Sequence, residues 1–155
     1  MSPYIPYGYQ PKGEQWVYPS EKKHVLSTLG FLNPKTNHLV TYDLPENERM
    51  NSDFFIKYVN DFVETLTQLT ILIIDNASYH KSEAVKSKYK EWEAKGLYIL
   101  YLPPRSPHLN KIEILWRKIK YKWLSIRDYR SAKTLTRKLK QIFREFGMSY
   151  NINFS

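Results

Sequence analysis

The chain has 155 residues, with 24 Lys and Arg against 15 Asp and Glu, for a formal net charge of +9. A hydrophobic content of 42% and 15% aromatics exclude a disordered polymer and suffice for one domain with a core of its own. The absence of cysteine excludes disulfides, thiolate metal sites and a Cys nucleophile, and no apolar run approaches the roughly 18 residues of a membrane span.

Residues 1–20 are rich in Tyr, Pro and Gly without a clear period, and show no signal-peptide pattern. A reducing, cytoplasmic location fits this composition. His24 to Leu32 is β-prone, Asn33-Pro34-Lys35-Thr36-Asn37 is a turn, and His38 to Leu44 is a second strand, so 24–44 reads as a hairpin. Asn51 or Ser52 can cap a helix carrying Phe54, Phe55, Tyr58, Val59, Phe62 and Leu66 at helical spacing. Thr70 to Ile74 is a continuous apolar strand of the kind buried on both faces. Ser82 opens a helix through Glu93, with Gly96 suited to its C-terminal cap. Leu97 to Leu102 is another buried strand, stopped by Pro103-Pro104. A helix starts near Asn110, with Ile112, Leu115, Trp116, Ile119 and Trp123 as one apolar stripe. Ser131 can cap a last helix that buries Leu135, Leu139, Ile142, Phe143 and Phe146. A hairpin followed by βα units implies an α/β fold, with a mixed sheet flanked by helices.

Two features carry chemistry. Asp75 stands at the carboxyl end of the 70–74 strand, where open α/β sheets collect functional groups. Glu113 opens a helix right after Pro103, Pro104 and Pro107, with 37 residues between the two acids. Two such oxygen donors suit Mg²⁺ held for phosphoryl-transfer chemistry. Each also has a plain structural explanation. An Asp after a strand often caps the next turn. Glu113 has the spacing of a capping box with Asn110, and on spacing alone capping is the stronger reading. Asn76, His80 and Asn110 are candidate supporting residues, although His80 reads more simply as a surface histidine at a helix start. From Arg105 to Glu145 there are 13 Lys and Arg against three acids, a net of +10, which leaves the rest of the chain near neutral. Concentrated basic charge is the footprint of a nucleic-acid partner, and a solvated helix face explains it as readily. Arg105, Arg117, Lys118, Lys120, Lys122 and Arg127, with further cations out to Lys140, are the candidates for phosphate contacts along basic helices at about 110–148. No zinc ligand set, phosphate-binding Gly loop or Ser-His-Asp arrangement is apparent.

The run Ile73-Ile74-Asp75-Asn76-Ala77-Ser78-Tyr79-His80-Lys81, followed by Leu102-Pro103-Pro104-Arg105-Ser106-Pro107-His108-Leu109-Asn110-Lys111-Ile112-Glu113-Ile114-Leu115-Trp116, resembles the DDE catalytic domain of insertion-sequence-630/mariner superfamily transposases. Gly8-Tyr9-Gln10-Pro11-Lys12-Gly13-Glu14 and Leu29-Gly30-Phe31 share the resemblance, which spans about residues 7 to 125. It implies an RNase H-like fold whose carboxylate triad binds two Mg²⁺ or Mn²⁺ ions. It also implies cleavage at transposon terminal inverted repeats, then transfer of the freed 3′-hydroxyl to target DNA. Asp75 matches the second acid of the triad and Glu113 the third. Implied partners are double-stranded DNA and, by resemblance only, a second copy of the chain, in a nucleoid-associated setting.

The first acid departs from the pattern. In the family it lies on a strand just before the Gly-Tyr-x-Pro-Lys-Gly-like segment, and residues 1–13 contain no Asp or Glu. The expectation is a single domain, 1–155, truncated at its N-terminus and lacking the first central strand. Its activity alone would be doubtful, its sheet edge open, and an upstream fragment a natural partner. The alternative is a non-catalytic remnant that binds DNA through its basic helices. An RNase H-like nuclease unconnected to transposition fits the Pro-Pro-Arg-Ser-Pro-His-Leu-Asn-Lys-Ile-Glu run less well.

Overall fold

Asn33 opens the turn of the hairpin. Its Oδ1 accepts the amides of Lys35 and Thr36, at 3.0 and 3.4 Å, and Asn37 takes the left-handed conformation that closes the loop. The strands on either side, β1 (Thr28–Asn33) and β2 (His38–Asp43), pair antiparallel from Thr28 opposite Asp43 to Asn33 opposite His38. These and all following features come from a computed structural model that describes residues 12, 13 and 26–154. The expected start of the first strand at His24, and most of the Gly8–Glu14 segment, lie outside the described residues.

The chain divides into two compact units. The first unites the hairpin with the chain from Ile114 onward. Helix α4 (Lys111–Lys118) starts in the other unit and continues here into a π-helical turn, Ile119–Trp123, in which the Leu124 amide donates to Ile119 O at 3.0 Å. Leu115 and Ile119 are fully buried, while Trp116 meets Phe143 edge-on. Helix α5 (Ala132–Arg144) buries Leu135, Leu139 and Ile142, with Phe146 just beyond it. Its start is fixed by Ser131, whose Oγ accepts the Thr134 amide at 3.2 Å while Thr134 Oγ1 takes the Ser131 amide. Changing Ser131 to Ala removes that acceptor and is expected to cost about 1 kcal/mol. A urea midpoint equal to that of the unsubstituted chain would show that the cap is dispensable.

The second unit runs from Arg49 to Glu113. Helix α1 (Ser52–Val63) is capped by Asn51, whose Oδ1 accepts the Phe54 amide at 2.9 Å, and buries Phe55, Tyr58, Val59 and Val63. Strands β3 (Thr70–Ile74) and β4 (Leu97–Tyr101) pair in parallel, from Thr70 opposite Leu97 to Ile74 opposite Tyr101. The single helix expected between them is two short ones, α2 (Glu83–Lys86) and α3 (Tyr89–Ala94). The ladder tightens between them: the Lys88 amide donates to Val85 O, three residues back, and Ser87 Oγ binds Ala84 O at 2.7 Å. Gly96 ends α3 at φ +86°, a conformation that favours glycine. Trp92 is the centre of this core. It is 1% exposed, meets Phe55 edge-on and donates from its indole N–H to Asn60 Oδ1 at 2.7 Å.

One expectation is met in its coarse form and one is corrected. The elements are mixed α/β, and among the described residues the strands form two two-stranded sheets, β1–β2 and β3–β4, with no described strand joining the hairpin to β3. Strands β3 and β4 are not buried on both faces. Ile74 and Leu97 are buried, whereas Ile71, Ile73, Tyr98 and Leu100 are 43% to 57% exposed. Side chains alternate across a strand, and only one face of this pair is covered.

Candidate active site

Asp75 follows β3 directly, where the Leu102 amide donates to Ile74 O at 2.8 Å and prolongs the β3–β4 ladder past Tyr101. Asn76 Nδ2 donates to Leu102 O at 2.6 Å, tying the two strand ends together. Asp75 Oδ1 accepts the Ala77 amide at 3.0 Å, so the turn-capping role anticipated for this Asp is real. That role uses one oxygen. No protein donor among the described residues reaches Oδ2, and the side chain is 49% exposed.

His80 is not a surface residue. It is 6% exposed, within a 3₁₀ turn (Ser78–Lys81), with its ring 4.4 Å from that of Phe55 and 4.3 Å from that of Tyr79. Its Nδ1 lies 2.9 Å from Asp75 Oδ1 and 3.1 Å from Asp75 O. Burial lowers its pKa, opposed by the carbonyl and carboxylate of Asp75. The turn is held from the other side as well: Tyr101 OH donates to His80 O at 2.6 Å and in turn accepts from Tyr89 OH, while Ser52 Oγ donates to Tyr79 O at 3.3 Å. Burial and the bond to Tyr101 push the Tyr89 phenol far up.

Glu113 lies in the first turn of α4, where its amide donates to Asn110 O at 3.0 Å. The capping box expected between Glu113 and Asn110 is absent. The Glu113 carboxylate is exposed and takes no hydrogen bond or ion pair among the described residues, and Asn110 contributes only its carbonyl. Glu113 therefore has no capping role that would explain it. The loop before it is tense: Arg105, a non-glycine residue, sits at φ +58°.

Tyr79 precedes His80 in the same turn. Its phenol is raised first by burial, then by the negative charges of Asp75 and Glu113. Sequence reasoning did not single out Tyr79, although it lies four residues after Asp75; the packing of Phe55 on His80 is a tertiary contact with no local signal. Among the described residues no group of three His, Cys, Asp or Glu side chains gathers tightly enough to hold a metal ion. Two carboxylates with unengaged oxygens fit a hard divalent cation in donor type and fall short in number.

Of the candidate DNA contacts, Arg105, Arg117, Lys118, Lys122 and Arg127 are exposed, and Lys120 lies 5.4 Å from the Tyr121 ring centre. Lys133, Arg137, Lys140 and Arg144 follow one side of α5 along a groove of about 810 Å³ beside the hairpin. Lys138 is otherwise occupied, bound to Gln141 and Tyr150.

A family model described as DDE superfamily endonuclease matches residues 2–136. The chain belongs to the DDE superfamily endonucleases. Members of this family act on DNA and generally use divalent metal ions. The chain is also 33% identical over 60 residues to the uncharacterized protein y4pE/y4sA of Sinorhizobium fredii (strain NBRC 101917 / NGR234), covering 39% of this chain and 40% of that protein. It therefore spans less than half the length of that relative. No solved structure matches significantly. No helix among the described residues is long and apolar enough to cross a membrane.

Proposed function

We propose that this DDE superfamily endonuclease is a transposase of the insertion-sequence-630/mariner type, acting at transposon terminal inverted repeats by strand cleavage and strand transfer. What supports the reading is the pair of acids, Asp75 at the end of β3 and Glu113 in the first turn of α4, each with carboxylate oxygens that no described residue engages. Asp75 and Glu113 are the residues that would hold Mg²⁺ or Mn²⁺. Such an ion supplies charge stabilisation at a phosphodiester and activation of the attacking oxygen. A third carboxylate, from outside the described residues, would complete the set for two ions.

The chain's own residues then have distinct tasks. Asp75 stays fixed at the strand end through its Ala77 bond, and Asn76 keeps that end joined to β4. Glu113 enters from a loop stiffened by Pro103 and Pro104. The exposed cations of α4 and its continuation would position the DNA backbone without reading bases. The direct test is nicking of DNA bearing terminal repeats, with Mg²⁺ or Mn²⁺ and with chelator, by this chain and by its Asp75→Asn and Glu113→Gln variants. Cleavage that ignores both substitutions would remove the reading.

A second reading, DNA binding without catalysis, is favoured by the two acids where three are needed. Binding by the basic segment should weaken steeply with salt, each phosphate contact adding about −0.9 to the slope of log K against log salt. Arg117→Gln should reduce that slope by about 1 for every sequence tested. An unchanged slope would place the DNA elsewhere.

A further inference from the structure

A carboxylate that must present one oxygen to an ion needs its other oxygen held still, and the described residues show what holds it. Asp75 Oδ1 and Asp75 O are both acceptors, and both face Nδ1 of His80, at 2.9 and 3.1 Å. The proton of the neutral ring must therefore sit on Nδ1. Nε2 is then a bare acceptor, and it is buried with no hydrogen-bond partner among the described residues. A purely structural role would not call for this residue. The slot between Phe55 and Tyr79 is apolar, and burying an unpartnered ring nitrogen there is unfavourable. A leucine or phenylalanine would fill such a slot without that cost. What only the histidine supplies is a rigid N–H aimed at Asp75.

We propose that His80 is a positioning residue: its Nδ1–H fixes Asp75 Oδ1, so that Oδ2 is presented to a divalent cation. The proposal rests on the reading of Asp75 as a metal-holding acid. It follows the general pattern in which a group behind a metal ligand sets that ligand's orientation, and whose loss typically costs 10- to 100-fold in metal affinity. The rest of the turn supports the assignment. Tyr101 holds the His80 carbonyl and Ser52 the Tyr79 carbonyl, so the ring has little freedom to turn away.

Three measurements on the full chain test it. First, long-range ¹H–¹⁵N spectra without metal should show His80 as the Nδ1–H tautomer, the minor form of free histidine in water; the Nε2–H tautomer would overturn the proposal. Second, Mn²⁺ binding followed by electron paramagnetic resonance should weaken about tenfold or more in His80→Leu, which fills the slot but cannot donate. Third, His80→Asn, whose amide nitrogen can stand where Nδ1 stands, should retain affinity within about threefold of the unsubstituted chain. Rescue by Asn but not by Leu is what a filler role would not produce, and equal loss in both would overturn the proposal. Asp75→Asn separates this idea from the one beneath it. If Asp75→Asn loses Mn²⁺ and His80→Leu does not, positioning by His80 is wrong and the metal role of Asp75 stands. If the unsubstituted chain binds no Mn²⁺, or Asp75→Asn binds as well as it does, both fall. Should His80→Leu fail to fold, the tautomer and the Asn variant still decide.

Discussion

Asp75→Asn is expected to lower metal-dependent DNA cleavage by about 10²- to 10³-fold while leaving the fold intact. The two halves of that expectation come from the two oxygens. Oδ1 works as a hydrogen-bond acceptor for the Ala77 amide and the His80 ring. An asparagine carbonyl can accept both, so the turn after β3 should survive. Oδ2 has no partner among the described residues, and replacing it by NH₂ removes a charge and a ligand atom together. A bound divalent cation supplies several kcal/mol of charge stabilisation, and each 1.4 kcal/mol is tenfold in rate. Losing one of its holders should therefore cost about two to three decades. The measurement is single-turnover nicking of terminal-repeat DNA, with circular dichroism as the check on folding. A folded Asp75→Asn protein that nicks within about threefold of the unsubstituted chain would disprove the assignment.

Trp92→Ala is expected to destabilise the 49–113 unit by about 3–5 kcal/mol. The indole is 1% exposed, against Phe55 and Tyr89, and its loss leaves a hole on which α1 and α3 both rest. It also strands the Asn60 Oδ1 that the indole N–H satisfies at 2.7 Å. Whole domains are typically stable by only about 5–15 kcal/mol, so this one change approaches the stability of the unit. Trp92→Phe keeps most of the apolar volume and loses the N–H, and its cost should fall nearer 1–3 kcal/mol. Urea unfolding of both variants gives the comparison. A Trp92→Ala penalty below about 1 kcal/mol would mean that the indole is not the keystone its burial makes it.

The unit around Trp92 was legible in the sequence where the signals are local. Asn51 before a 3.6-residue pattern, the apolar runs at 70–74 and 97–102, and Gly96 after α3 each state their structure through a cap, a period or a permitted φ. Ser131 and its leucines did the same for α5. What could not be read was anything decided by a distant contact. The apolar runs of β3 and β4 resembled strands covered on both sides, because composition does not reveal whether a covering element exists. His80 resembled a surface residue, because Phe55, which buries it, is 25 positions away. Glu113 had capping spacing and does not cap. Spacing allows a capping box, but whether the side chain folds back is set by what else competes for it. The strand-end Asp and the helix-start Glu were visible as positions; the buried histidine bound to the first of them was not.

The π turn at Ile119–Trp123 determines how this region tolerates a change in chain length. Ile119 and Leu124 are both buried, yet five residues of regular α-helix would place them about 140° apart. The turn accommodates one residue more than an α turn and so returns Leu124 to the inside. A one-residue deletion here is therefore of a different kind from one elsewhere in the helix. It could be absorbed by reverting to regular α geometry, with the following residues keeping their faces. An insertion has no such reserve and would rotate Ser125 and everything after it out of register with the hairpin. Length variants in homologous chains should accordingly be read at this turn as losses of a single residue.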